Sequence, residues 1–448
     1  MRKVFQFPKY LILLATLASL IRIIIFFLFE AIITPDTSGY ISFAEYMKAN
    51  DFSDFDGGRT PGYPLIIFLA NLNIGNVVII QLIMGICISV MLFLIIAMLS
   101  KNPLIAFFVG LSHSLYIPFL HRELIIATEV TAMFFIIISI FCIVKYLNND
   151  RIYNGYFLLF ITNIAASMAA LTRPVYQYFP YLIMLFISIY LILNKIAFRK
   201  LLLSIFILYL PVLLIISGWK LFNYKVTGYY VYTTFSGISL SNKVAGNMEI
   251  ASDEFKDIRD IYVKYRNEQL KRKEDIRCCV IWRAFAEMQE KTGLSTPELA
   301  NRIKLMSLDV IKKDPIRYLK TIIPSLYRFW KPVGIGEDAS FILRFISIGQ
   351  RLIFILLEFL FLILPVFYLL QKKFRVKINL GWNQILFYGF LYAMVICNSI
   401  IVALFEQGEP RYSFPTDPII IIVVVCLLFF IIKKYSYNPQ ESSVNEIN

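Results

Sequence analysis

The stretch NVVIIQLIMGICISVMLFLIIAML, residues 76–99, decides the fold. It contains no Asp, Glu, Lys or Arg. A helix rises about 1.5 Å per residue, so about 20 apolar residues cross a hydrocarbon core roughly 30 Å thick. Working outward, nine further runs meet the same length: 10–33, 103–120, 124–146, 155–171, 176–193, 201–218, 350–370, 384–405 and 414–432. Of the 448 residues, 58% are hydrophobic and 17% charged, against about 45–50% and about 25% in soluble chains. This excludes an ordinary soluble enzyme, a disordered protein and a disulfide-rich secreted domain. The formal charge is +14. A bilayer protein with basic cytoplasmic loops accounts for an apolar chain that is also basic, so nucleic acid is not needed as a partner.

Orientation follows from lysine and arginine in the short connections. With the N-terminus inside, cytoplasmic segments hold fifteen of them, including Arg2, Lys3, Lys101, Lys195 and Lys372. The short outer connections hold five: Lys48, Arg59, Arg122, Arg173 and Arg411. An even number of spans returns the C-terminus inside. The first apolar run has no small-residue cleavage site after it and reads as a retained span. The expected architecture is an all-α polytopic membrane protein of about ten transmembrane helices. Its units are an N-terminal transmembrane module (1–218) with a first outer loop (34–75), an extracytoplasmic helical segment (219–349), C-terminal transmembrane helices (350–434) and a polar cytoplasmic tail (435–448). In the long segment, Ser295-Thr296-Pro297-Glu298 has capping-box form, and Leu299, Ile303, Met306 and Val310 follow as one apolar stripe. Asp314-Pro315 starts a second helix running to about Trp330. Cys87, Cys142, Cys397 and Cys426 lie in apolar runs, and Cys278 and Cys279 adjoin in a polar one. Neither set has zinc or disulfide-framework spacing, so they read as packing thiols.

The informative charges cluster at the outer face. Asp36 sits just beyond the first span, with Tyr40 four residues on. Arg59 precedes Thr60-Pro61-Gly62-Tyr63-Pro64. His121, Arg122 and Glu123 fill the turn before the fourth span, and Glu129 opens it. Arg173-Pro174 ends the fifth span, and Glu409-Pro410-Arg411-Tyr412 precedes the tenth. Arginine's planar fork grips phosphate bidentately, and a carboxylate can accept a proton from an attacking hydroxyl. Together they suit a site that holds a lipid phosphate at the bilayer boundary and displaces it. Asp36 is then the catalytic candidate, and Arg59, Arg173 and Arg411 are the phosphate-binding candidates. Tyr40, Glu123, Glu129 and Tyr412 are candidates for substrate contact or a second acid. Bland roles stand beside these: capping for Asp36, snorkelling for the arginines, and a buried pair for Glu129 with Arg122 or Arg173. Arg22, in mid-span, reads as a structural pair with a neighbouring helix. Trp219, Trp330 and Trp382 read as interfacial anchors. Asp36 and Glu129 are competent to ligate a divalent cation, but no ligand spacing demands one.

The order of these pieces resembles bacterial GT-C-type membrane glycosyltransferases, the group of the protein O-mannosyltransferases and the lipid A aminoarabinose transferases. The matching residues are Asp36, Tyr40 and Glu45, then Arg59 to Pro64, Thr128-Glu129 and Ala169 to Pro174. Trp219, Asn223-Tyr224, Gly228 and Gly237 follow, then Asp314 to Tyr318, Arg328-Phe329-Trp330 and Glu409 to Tyr412. The resemblance implies a GT-C-like bundle in a bacterial plasma membrane with its active site on the outer side. The implied activity is inverting sugar transfer from a polyprenyl-phosphate-linked donor, with Asp36 as base and Arg59, Arg173 and Arg411 on the donor phosphate. Many relatives carry an acid directly after the first Asp; here that residue is Thr37. Sugar and acceptor are left open. A transporter or flippase for a lipid-linked or anionic solute is the alternative, but no half-to-half similarity of the transporter kind is evident. A surface-polysaccharide polymerase or ligase, with a similar donor, lacks the acid after span 1.

Overall fold

The computed structural model describes residues 2–148, 152–277, 279–336, 340–370 and 380–435. Cys278, Arg151, the basic 372–377 loop and nearly all of the expected tail fall outside them. Among the described residues the chain is helical, with one isolated bridge between Ile32 and Ile125. Nine helices are long and apolar enough to cross a bilayer: Phe7–Leu28, Ile74–Ser100, Glu129–Leu147, Gly155–Thr172, Pro174–Leu193, Phe198–Thr227, Phe341–Leu370, Trp382–Phe405 and Pro410–Lys433. A bent pair, Pro103–Leu115 and Ile117–Leu124, makes a tenth crossing if taken together. The chain is a multi-pass membrane protein.

Three expectations need correction. Residues 103–120 are not one straight span, because the pair bends by 51° at Tyr116. Pro118 explains the break: it has no N–H to donate, and its ring excludes the preceding turn's helical carbonyl. Tyr116 is accordingly extended, at φ −77° and ψ 105°. The seventh span runs on to Thr227, beyond 218, through a π-helical turn at Val212–Ser217. That turn follows Pro211, whose missing donor shifts the hydrogen-bond register. The eighth span likewise begins earlier than expected, at Phe341.

Leu14, Phe93, Ile136, Ile183, Leu391 and Ile422 are buried in one core shared by the spans. Ile12, Phe27, Leu352 and Leu370 are exposed and form part of the belt a bilayer covers. Lipid tails are as apolar as leucine, so packing and interhelical hydrogen bonds hold such bundles together. Ser139 donates to the Thr162 carbonyl at 2.9 Å, and Tyr178 to the Met394 carbonyl at 2.8 Å.

The long connection has its own core, including Ile258, Tyr262, Met288, Leu299, Ile303 and Met306. Its capping box forms: the Glu298 carboxylate accepts the Ser295 N–H at 2.9 Å. The second helix is Pro315–Phe329, with Asp314 accepting the Arg317 N–H at 3.0 Å. It lies against the end of the ninth span, where Tyr318 donates to the Leu404 carbonyl at 2.7 Å. Ile316, Leu319, Ile323 and Tyr327 leave an apolar stripe exposed along it.

Candidate active site

After the first span the chain is stapled to the end of the bent pair. The Ile32 N–H donates to the Leu124 carbonyl, and the Ile126 N–H to the Ile32 carbonyl, both at 2.9 Å. Thr37 Oγ1 donates to the Ile126 carbonyl at 2.9 Å. These bonds fix the start of the helix Thr37–Ala49, where Asp36 is the N-cap residue but makes no side-chain cap bond. Its carboxylate is turned to two guanidiniums instead. Arg59 Nη2 lies 3.0 Å from Oδ1, and Arg411 Nη1 lies 3.0 Å from Oδ2. Burial works to raise the Asp36 pKa, but Arg411 and Arg59 outweigh it and hold the carboxyl below its ordinary value. The side chain keeps 32% of its surface exposed, so the carboxylate is charged and reachable.

Arg59 is set by its own loop. Thr233 Oγ1 donates to the Gly58 carbonyl at 2.7 Å, and the Thr234 N–H to the Gly57 carbonyl at 3.1 Å. The Arg59 guanidinium stacks on the Tyr40 ring at 4.7 Å and reaches the Tyr40 hydroxyl at 3.5 Å. Three residues on, the Gly62 N–H donates to the Leu171 carbonyl at 3.0 Å. A Cβ at Gly62 would sit 2.7 Å from that oxygen, so only glycine lets this loop meet the end of the fifth span. That end carries Arg173.

Arg173 pairs with Glu129 at 3.0 Å and lies over the Tyr412 ring at 4.8 Å. Arg122 is the second cation near Glu129, at 3.9 Å. Tyr412 is held through its backbone: Tyr176 and Asn398 donate to its carbonyl at 3.1 and 3.0 Å. Its hydroxyl donates to Glu406 at 3.1 Å. Burial pushes the Glu406 carboxyl up, against the pull of its Ser239 and Tyr412 hydrogen bonds. Gly408, with φ +74°, adopts a conformation open to glycine, and a Cβ there would sit 2.0 Å from the Ser325 carbonyl. This close approach seats the loop that presents Glu409 and Arg411.

Asp36, Tyr40, Arg59, Glu129, Arg173, Arg411 and Tyr412 are therefore linked by direct contacts at one end of the bundle. Glu123 is not among them. Its carboxylate is taken by Arg22, at 2.7 and 2.8 Å, in a fully buried bidentate pair. Arg22 also donates to Ser114 Oγ at 3.1 Å, and Ser114 contacts Ser89, which bonds His113 at 2.8 Å. Trp219 is no interfacial anchor: it is buried among Phe43, Phe55 and Phe222 and donates to the Tyr232 carbonyl at 2.8 Å. Asp36 and Glu129 each face two guanidiniums, which repel a cation. Among the described residues no three His, Cys, Asp or Glu side chains group as metal ligands. Sequence reading missed Glu406 and the Thr233–Thr234 clamp on the Arg59 loop; neither has a local signature.

No protein-family model matches the chain, and no curated protein matches its sequence. Among solved structures, the chain is similar to ArnT from Cupriavidus metallidurans in the apo state, at 11% identity and a TM-score of 0.38, covering 94% of this chain and 77% of that one. It is similar, too, to ArnT from Cupriavidus metallidurans bound to undecaprenyl phosphate, at 12% identity, a TM-score of 0.38 and the same coverage.

Proposed function

We propose that the chain is a GT-C-type membrane glycosyltransferase that moves a sugar from a polyprenyl-phosphate-linked donor to a hydroxyl acceptor, on the outer face of a bacterial plasma membrane. The observation that carries this reading is the convergence on Asp36. A carboxylate after the first span meets guanidiniums from residues 59 and 411, and Arg173 stacks on the residue beside Arg411. The lysine and arginine bias of the connections supports an outer placement for this end of the bundle.

In this reading the donor phosphate enters among Arg59, Arg173 and Arg411. It competes with Asp36 for the guanidiniums and leaves one carboxylate oxygen free. The acceptor oxygen attacks the anomeric carbon, the carbon–oxygen bond to phosphate breaks, and the acceptor's proton passes to Asp36. Negative charge grows on the departing phosphate, where fixed guanidiniums stabilise it more than in the ground state. Transfer is a single in-line displacement, so it inverts the sugar carbon.

The test is release of polyprenyl phosphate from a polyprenyl-phosphate sugar by the purified protein in vesicles, followed by mass spectrometry with an envelope extract as acceptor source. Release that depends on Asp36 and Arg411 is expected. Translocation of the intact donor without release would replace the enzyme reading by the transporter one.

A further inference from the structure

The limb Ile117–Leu124 is a short helix, and the bundle commits several polar side chains to holding it. At its start, Gln350 spans the break: its Oε1 accepts the Ile117 N–H and its Nε2 donates to the Leu115 carbonyl, both at 2.8 Å. At its end, Gln81 Nε2 donates to the Glu123 and Ile125 carbonyls at 2.9 and 3.0 Å. Tyr63 fixes Gln81 through a 2.8 Å bond to Oε1. Arg22 locks Glu123 from the interior. The neighbouring residues of the same limb, His121 and Arg122, are left differently. His121 Nδ1 and Arg122 Nε are buried and have no hydrogen-bond partner among the described residues.

Arg122 also differs from the other arginines of the cluster. Arg59, Arg173 and Arg411 each have a carboxylate oxygen at 3.0 Å. Arg122 has only Glu129, at 3.9 Å, beyond hydrogen-bond reach. Glu129 Oε2 is itself buried and unpartnered, so the pair leaves both its guanidinium and its carboxylate short of bonds. A buried donor without a partner costs about 1–3 kcal/mol. Fixing a limb at both ends, only to leave His121 Nδ1 and Arg122 Nε unmet, is the pattern of a prepared anion site.

We propose that Arg122, with His121 beside it, forms a second arm of the phosphate site, opposite Arg173 and Arg411, and grips the donor phosphate through its Nε–Nη fork. This rests on the reading of the site as a lipid-phosphate site. The Phe414 ring, 5.9 Å from the Arg122 guanidinium carbon, limits how far the side chain swings. Among the described residues Arg122 Nε is unmet before the phosphate arrives, as are Arg173 Nη1 and Arg411 Nε, but Arg122 alone of the four has no carboxylate oxygen within hydrogen-bond distance to give up for it.

The test is calorimetric titration of the purified full chain in detergent with a short-chain polyprenyl monophosphate, and separately with inorganic phosphate. Arg122→Ala is expected to weaken the lipid probe at least tenfold. Arg122→Lys should recover part of that, since a point charge replaces the fork. Affinity for inorganic phosphate should fall in parallel, which places the loss at the phosphate and not at the lipid tail; a loss confined to the lipid probe overturns the proposal. If Arg122→Ala and Arg122→Lys bind like the parent while Arg173→Ala binds weakly, Arg122 has no such role and the site reading survives. If Arg173→Ala also binds like the parent, both fail. Should Arg122→Ala not fold, Arg122→Gln decides by the same criteria.

Discussion

Replacing Asp36 by Asn separates two roles that the proposed mechanism gives one carboxylate. The amide keeps the shape but neither accepts a proton nor carries charge. Losing a general base costs about 10²–10⁴ in rate, which is about 2.7–5.4 kcal/mol at 1.36 kcal/mol per factor of ten. The same change frees Arg59 and Arg411, each now bound to Asp36 at 3.0 Å. A hydrogen bond to a charged group contributes about 1.5–3 kcal/mol. An incoming phosphate no longer competes with the carboxylate, and its affinity is expected to rise about tenfold. The assay pairs turnover of a polyprenyl-phosphate sugar with calorimetric titration of polyprenyl phosphate on the same preparation. Turnover should collapse while phosphate binding tightens. Parental turnover removes Asp36 as base; turnover and binding lost together reduce it to a structural tether. In the parent the arginines hold the Asp36 pKa below its ordinary value, so the acid limb of kcat/KM should lie below about pH 3.9, the usual Asp value. A limb near neutrality would contradict that.

Other perturbations read other parts of the molecule. Arg22→Ala strands the buried Glu123 carboxylate, which should cost about 3–5 kcal/mol and lower the thermal midpoint; Arg22→Met with Glu123→Gln should recover much of it. Gly408→Ala forces a Cβ to 2.0 Å from the Ser325 carbonyl at φ +74°, so both stability and turnover should drop, and an unaffected variant would mean the loop is placed otherwise. Lys243 is buried, donates to Ser325 Oγ at 2.7 Å, and its pKa is pushed down to about 8 by burial and by Arg328, against Glu406. The unfolded lysine binds its proton more tightly, so stability should rise as pH climbs from about 8 to about 10.4; Lys243→Met should flatten that rise.

The spans were legible because a run such as 76–99 leaves a helix no other way to satisfy its backbone in lipid. The bend at Tyr116 was not read, because residues 103–120 are apolar on both sides of it; Pro118 was the signal. Arg22 announced a partner by being charged in mid-span, but its identity, 101 residues away, follows only from how the bent pair packs on the first span. The individual site residues stood out because charge and proline mark the span ends. Their mutual arrangement did not: Asp36 meets Arg411 across 375 residues, and Gly62 and Gly408 permit the approaches that bring the loops together. Trp219 was misread because a tryptophan at the expected end of a span also suits a packed aromatic cluster, and the span continues past it.

On the proposed function, this chain consumes a polyprenyl-phosphate-linked sugar. Mass spectrometry of lipid extracts from cells lacking it tests that most directly. A polyprenyl-phosphate sugar should accumulate, disappear when the parent chain is restored, and persist when Asp36→Asn is supplied instead. A lipid-linked sugar pool unchanged by deletion would contradict the account.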